Sequence, residues 1–236
     1  NDPLLKKIHM DEFAVVPLNT RDKTIGVIVV DNLFNKKPIS RDDLRLLTMF
    51  ANQAGLAIEN SRLYEHTVIQ SQTDSLTRLW NHGYFQHKIQ EEIKAARQSG
   101  SYLSLILLDL DNFKELNDTM GHYTGDKILK DVSRLLKKHC RRVDYPCRYG
   151  GEEFAIILSQ TTKKEAYLIA ERIREAIAKH NFSYKKTAIP KTISLSIGLA
   201  TFGENRINTK NELLICVDKA LYTAKHTGKN KTYVYN

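Results

Sequence analysis

Apolar and polar positions alternate with a short period near the start of the chain and then change rhythm. Two apolar runs, Phe13–Pro17 and Thr24–Val30, flank the polar stretch Asn19-Thr20-Arg21-Asp22-Lys23, which predicts two short strands and a turn. From Ser40 the period lengthens to that of a helix. Ser40 is placed to cap it, and Asp42 and Asp43 fall in the first turn, at the positive end of the helix dipole. Only Gly55 interrupts the pattern before about Gln72, so the helix reaches about 50 Å. Leu44, Leu47, Ala51, Ala54 and Ile58 form one apolar stripe, and Leu46, Phe50, Leu56 and Leu63 form another. Such a helix packs on its own strands and a loop, or on its own domain and a second chain. The roughly 40 residues before it are too few to cover both stripes, which favours a homodimer.

Beyond Asp74 the two periods interleave. Helix patterns occupy Tyr84–Gln98, Gly125–His139, Lys163–His180 and Glu212–Thr227. Strand patterns occupy Leu103–Asp109, Phe154–Leu158 (entered by a hairpin at Gly150-Gly151), Thr192–Thr201 and a short Thr232–Tyr235. Helices mixed with hairpins predict an α/β (α+β) fold with a central mixed sheet flanked by helices. Repeats and low-complexity tracts are absent from the sequence.

Composition narrows the picture. Of 236 residues, 42% are hydrophobic, which supports a packed core and excludes wholesale disorder. That length suits one large domain or up to two smaller ones. The longest apolar runs, such as Leu103–Leu108, have strand length, so no membrane span is expected within the chain. The opening Asn1-Asp2-Pro3 has neither an initiator Met nor a signal-peptide pattern and reads as part of a longer chain, whose upstream part could hold a membrane segment. Cys140, Cys147 and Cys216 are odd in number and form no CxxC pair, which argues against a disulfide framework or structural zinc and fits a cytoplasmic setting. The net charge of +9 suggests nucleic acid, phosphate or an anionic surface as partner. Residues 1–72 carry nine Lys/Arg and nine Asp/Glu, so the whole excess falls in residues 73–236.

Two stretches carry candidate chemistry. The apolar run ending Leu107-Leu108-Asp109-Leu110-Asp111 places two carboxylates at alternate positions of a strand end, a place where a sheet presents ligands for hard cations; the same pattern also serves as a turn or helix cap. The second stretch is Arg148-Tyr149-Gly150-Gly151-Glu152-Glu153-Phe154. Gly-Gly suits the positive φ of a tight hairpin and leaves no side chain between backbone and ligand. Adjacent glutamates entering a strand point to opposite faces, so this is either an acidic hairpin edge or a ligand site.

Gly150–Phe154, the Asp109–Asp118 stretch, Gly121-His122 and Gly125-Asp126 together resemble the GGDEF family of diguanylate cyclases. The likeness runs from Asp74-Ser75-Leu76-Thr77-Arg78-Leu79-Trp80-Asn81 to Ala224-Lys225-His226-Thr227-Gly228-Lys229-Asn230. The segment before it is similar to the C-terminal half of a GAF sensory domain, through Pro17-Leu18, Ile25–Val30, Pro38-Ile39-Ser40, Phe50–Ala54 and Ala57–Asn60. These resemblances imply a partial GAF domain at 1–40, a linker and dimerisation helix at 41–73, and a palm-like cyclase domain at 74–236.

The implied reaction is condensation of two GTP into cyclic di-GMP and two pyrophosphates, with Mg²⁺ or Mn²⁺, in a dimer of half-sites. Carried over residue by residue, Asp109, Glu152 and the Leu110 carbonyl would bind metal, and Glu153 would assist the metal or the attacking hydroxyl. Asn117 and Asp126 would read guanine. Phe113, Lys114 and Gly151 would lie along the nucleotide, while Lys225 and Lys229, four apart on one helix face, would hold phosphates. The family usually has Arg where this chain has Lys229; lysine keeps the charge but loses the bidentate fork, which implies weaker nucleotide holding. Arg141 and Asp144 match the family's Arg-x-x-Asp product-inhibition site, which Arg172 or Arg174 could complete. The alternative from another class is a receptor that binds cyclic di-GMP without catalysis. Nucleic acid is not expected as a partner, since no aromatic platform or groove-reading helix accompanies the charge.

Overall fold

A computed structural model describes residues 13–20, 22–34, 36–182, 193–205 and 207–236. Asn1-Asp2-Pro3, Arg21 and Thr192, each part of a sequence expectation above, lie outside them. The chain divides into two compact units with the boundary between Ser71 and Gln72. Among the described residues, no helix is long and apolar enough to cross a membrane.

In the first unit, β1 (Phe13–Asn19) and β2 (Thr24–Asp31) form an antiparallel hairpin with Val15 opposite Val29. The helix α1 runs over Arg41–Gln72. Ser40 caps it as its sequence predicts: the Asp43 N–H donates to the Ser40 hydroxyl oxygen at 3.1 Å, and the Ser40 N–H and hydroxyl donate to the Asp43 carboxylate. Those bonds hold the Asp43 carboxyl below its ordinary range. The helix touches the hairpin where its surface is smallest. Ala51 and Gly55 are buried, and a Cβ at Gly55 would overlap the Asn19 carbonyl. Leu46, Met49, Phe50 and Leu63 stay exposed.

The second unit is a five-stranded sheet between two layers of helices. In chain order come α2 (His82–Ser99), β3 (Leu103–Leu110), α3 (Phe113–Met120), α4 (His122–His139), β4 (Asp144–Arg148) and β5 (Glu153–Ser159). They are followed by α5 (Lys163–Ala178), β6 (Leu195–Phe202), α6 (Lys210–His226) and β7 (Thr232–Val234). The strand order is β4-β5-β3-β6-β7, with β7 parallel to β6 and the other pairs antiparallel. This is the mixed sheet that the interleaved periods predict.

Every residue of the central β3 is buried, because helices cover both faces. Ile106 and Leu108 pack with Ile128 and Val132 of α4 and Ile169 and Ile173 of α5. Leu105 and Leu107 pack with Phe85 and Ile89 of α2 and Val217 and Leu221 of α6. Each such side chain contributes about 1.5–3 kcal/mol through burial. Local signals set the helix ends. Asn81 caps α2 and Gly100, at φ 66°, ends it, while Thr162–Glu165 and Thr209–Glu212 are capping boxes for α5 and α6. At Gly198 of β6 a side chain would run into the Val217 carbonyl and Leu221 backbone of α6, so glycine here lets that helix lie directly on the sheet.

Candidate active site

The site is organised around the end of β3. Asp109 is 7% exposed, and a buried carboxylate needs a partner. Lys225, in the last turn of α6, supplies it, with Nζ 2.6 Å from Asp109 Oδ2. Burial pushes the Asp109 carboxyl above its ordinary range; Lys225 opposes that push, and the charges of Glu152 and Glu153 add to it. Two residues on, Asp111 has a different role. Its carboxylate accepts from the hydroxyls of Ser194 and Ser196, each at 2.6 Å, and from the Asn230 N–H at 3.0 Å. Of the two strand-end carboxylates, Asp111 ties the sheet to the C-terminal loop, and Asp109 faces the Lys225 ammonium.

The Gly150-Gly151 turn meets this strand end by register. Glu153, the first residue of β5, lies opposite Asp109, and the Leu110 N–H donates to the Glu152 carbonyl at 3.4 Å. Glu152 precedes the strand, and both glutamates are half-buried. Neither turn glycine has the positive φ expected from the sequence. The turn closes instead through the N–H groups of Tyr149 and Gly150, which both donate to the Glu153 carbonyl. The space around the two glycines differs: a Cβ at Gly150 would lie 2.7 Å from Glu153 Oε2, the far end of a flexible side chain, and Gly151 has open space around it. Beside Glu153 lies a cleft of about 260 Å³ that Tyr149, Ile215 and Asp218 also line.

Sequence reasoning gave no role to the residues that hold this turn. The Arg148 guanidinium donates to the carbonyls of Gly150 and Gly151 and, at 3.0 Å, to Asp74 Oδ1. The Arg148 N–H donates to the Trp80 carbonyl, and His82 Nδ1 lies 3.0 Å from the Tyr149 carbonyl. The opening segment of the unit is therefore a clamp on the turn. Asp74 also accepts from the Thr77 N–H and hydroxyl. Burial pushes its carboxyl up, but these bonds and Arg148 prevail and hold it below its ordinary range. The available signal was an Asp three residues before a Thr, a local capping pattern.

After β3, Asn112 turns the chain at φ 59° into α3, a helix absent from the helix patterns read in the sequence. Phe113 is buried in the core and Lys114 is exposed. Asn117 Oδ1 is buried with no hydrogen-bond partner. An unpaired buried acceptor costs about 1–3 kcal/mol. Gly125 of α4 sits over Asn117: a Cβ there would overlap Asn117 Oδ1 and lie 3.1 Å from Phe113 Cζ. Asp126, the next residue, is exposed.

Lys225 and Lys229, expected from the sequence to hold phosphates from one helix face, do not share one. α6 stops at His226, and Lys229 follows Gly228 with φ 56°, so its side chain leaves from a loop. Gly228, at φ 115°, breaks the helix, and the Asp111–Asn230 bond pulls the loop to the strand end. There Lys229 Nζ donates to Asn112 Oδ1 at 2.5 Å.

Arg141 and Asp144 pair with each other. The Arg141 N–H donates to Asp144 Oδ2 at 2.7 Å and its Nη2 to Oδ1 at 2.8 Å. The same guanidinium donates to Thr161 Oγ1. Asp144 is buried, and the Arg141 side chain is 46% exposed. Of the two arginines left open, Arg172 donates to the His139 carbonyl, two residues before Arg141. Arg174 is engaged with Glu171 and Asn230.

Among the described residues, no three His, Cys, Asp or Glu side chains meet as a formed ligand set for a metal ion. The donor chemistry nonetheless fits a hard dication: Asp109 is buried and its ionisation is opposed by two neighbouring carboxylates, a surplus of negative charge that such an ion neutralises.

Residues 71–231 match the family described as diguanylate cyclase, GGDEF domain, and residues 5–60 match the GAF domain family. Diguanylate cyclase A of Treponema denticola is 32% identical over 234 residues, covering 95% of this chain and 61% of that protein. The response regulator PleD of Caulobacter vibrioides is 38% identical over 167 residues, covering 70% of this chain and 36% of that protein. The chain thus spans less than two thirds of either relative. The crystal structure of the coiled coil and GGDEF domain of DgcB from Caulobacter crescentus, in complex with c-di-GMP, matches with a TM-score of 0.70 at 28% identity, over 79% of this chain and 99% of that one.

Proposed function

The chain belongs to the diguanylate cyclase GGDEF-domain family, with a GAF-family segment ahead of it, and from that premise we propose that it condenses two GTP into cyclic di-GMP. The observation that carries this reading is the register of Asp109 against Glu153, with Glu152 beside them and two lysines at the same strand end. In each half-reaction the 3′-oxygen of one nucleotide bonds to the α-phosphorus of the other. The bond to pyrophosphate breaks, and the hydroxyl proton passes to solvent water. Two such steps close the ring and release two pyrophosphates.

Asp109, Glu152, Glu153 and the Leu110 carbonyl would hold Mg²⁺ or Mn²⁺, whose charge would neutralise phosphate oxygens and lower the hydroxyl's pKa. Glu153 is the carboxylate nearest in register to Asp109 and assists the ion or the attacking hydroxyl. Asn117 offers an unpaired acceptor and Asp126 an exposed carboxylate to the ring N–H and amine of guanine; adenine has no such donor pair. Lys114, Lys225 and Lys229 supply positive charge for the triphosphate, with Phe113 anchoring the first turn of α3 in the core and Gly151 leaving room for the nucleotide.

Each chain brings one GTP and half the chemistry, so catalysis needs a homodimer. The exposed Leu46, Met49, Phe50 and Leu63 of α1 support this helix as the dimer contact. We assign residues 1–40 to a partial GAF sensor, 41–73 to the connecting helix and 74–236 to the cyclase domain. Arg141, Asp144 and Arg172 are assigned to product inhibition, and the free cysteines suit a cytoplasmic location. Glu153→Ala tests the catalytic assignment: turnover of GTP with Mg²⁺ should vanish while the thermal transition stays in place. Retained turnover would remove Glu153 from the chemistry.

A further inference from the structure

The contact between Lys225 and Asp109 has a consequence for the order of binding. Asp109 has a side chain only 10% exposed, and the group that meets it is the ammonium at 2.6 Å. The Lys225 side chain is 33% exposed and sits on a flexible four-carbon stem in the last turn of α6. Its neighbour in function, Lys229, rests on Asn112 at the same strand end. Two of the three lysines assigned to the triphosphate, Lys225 and Lys229, are therefore held on acceptors at the end of β3. A divalent cation approaching alone meets a carboxylate already neutralised by a lysine.

We propose that Lys225 is a positioning residue that couples metal binding to nucleotide binding: it occupies Asp109 until a triphosphate draws its ammonium away. The inference rests on the cyclase reading for the identity of the triphosphate. It assigns Lys225 two successive partners, first Asp109 and then phosphate oxygens. Linkage requires the effect to be reciprocal, so metal would strengthen nucleotide binding as much as nucleotide strengthens metal binding. Such an arrangement keeps free metal ions out of the site and assembles metal and substrate together.

The test is Mn²⁺ affinity by electron paramagnetic resonance on the full chain, with and without a non-hydrolysable GTP analogue. In the nucleotide-free protein, Lys225→Met should bind Mn²⁺ about tenfold more tightly than wild type, a size typical of linked sites. Lys225→Arg, which keeps the cation, should retain wild-type Mn²⁺ affinity, a result that loss of packing would not produce. Adding Asp109→Asn to Lys225→Met should remove the gain. Nucleotide-free Mn²⁺ affinity unchanged or weakened in Lys225→Met would overturn the inference whatever the turnover. A tenfold gain in Lys225→Met, together with a wild-type chain that fails to convert GTP, would sink the cyclase reading and leave the coupling intact.

Discussion

Replacing Asn117 by leucine separates a ligand contact from a scaffold contact, because the two assign opposite signs to one substitution. Asn117 Oδ1 is buried and unpaired in the free chain, a penalty of about 1–3 kcal/mol. Leucine has nearly the same shape and no polar atom to desolvate, and crowding against Gly125 offsets part of the gain. Without nucleotide, Asn117→Leu should therefore equal or exceed wild-type stability, by up to about 2 kcal/mol. For a unit of this size each kcal/mol raises Tm by about 2–4 °C. With nucleotide the sign reverses. A buried hydrogen bond to guanine worth about 1–3 kcal/mol is lost, so Kd for a non-hydrolysable GTP analogue should rise roughly 5- to 150-fold. Discrimination against the adenine analogue should shrink with it. Urea unfolding and calorimetric titration measure the two halves on the same samples. A variant less stable than wild type by more than about 1 kcal/mol, with unchanged affinity for the GTP analogue, would refute the reasoning and make Asn117 a structural residue.

The same structure makes other measurements informative. Gly198→Ala sets a methyl against the Val217 carbonyl and Leu221 backbone and should cost about 1–3 kcal/mol in urea unfolding; a neutral result would mean that α6 can lift from β6 at no cost. Asp74 has a folded pKa below its unfolded value of about 3.9, so its contribution is complete above that pH and is lost as pH falls through the folded pKa. Wild type should then lose more stability than Asp74→Asn on acidification below about pH 4, and parallel acid limbs would contradict the assignment. Arg141→Ala should keep turnover and lose inhibition by added cyclic di-GMP; persistent inhibition would place the product site elsewhere.

What the sequence made legible follows from where the information resides. The periods of β3 and of the helices around it and the Ser40 cap of α1 are local, and Leu103–Leu110 and Ser40 announce them plainly. The extra helix α3 was hidden because it has only eight residues and follows Asn112, whose left-handed conformation turns the chain sharply after β3. The helical spacing of Lys225 and Lys229 was misleading because a glycine and a distant carboxylate, Asp111, decide where α6 ends. The paired glycines were legible as important, but the positive φ expected of them is absent, and what the fold places beside Gly150 is the carboxylate of Glu153 folded back on the turn, a contact that no dipeptide preference encodes. Arg148 is the clearest omission. Its partner Asp74 is 74 residues away, and only the fold brings them together.

The central claim is that the carboxylates at the ends of β3 and β5 serve nucleotidyl transfer between two chains. Incubating the purified chain with GTP and Mg²⁺, and following cyclic di-GMP and pyrophosphate across protein concentration, tests it most directly. The account predicts two pyrophosphates per cyclic di-GMP and a rate per chain that rises with protein concentration as half-sites meet. Tight binding of cyclic di-GMP with no pyrophosphate released at any concentration would contradict it.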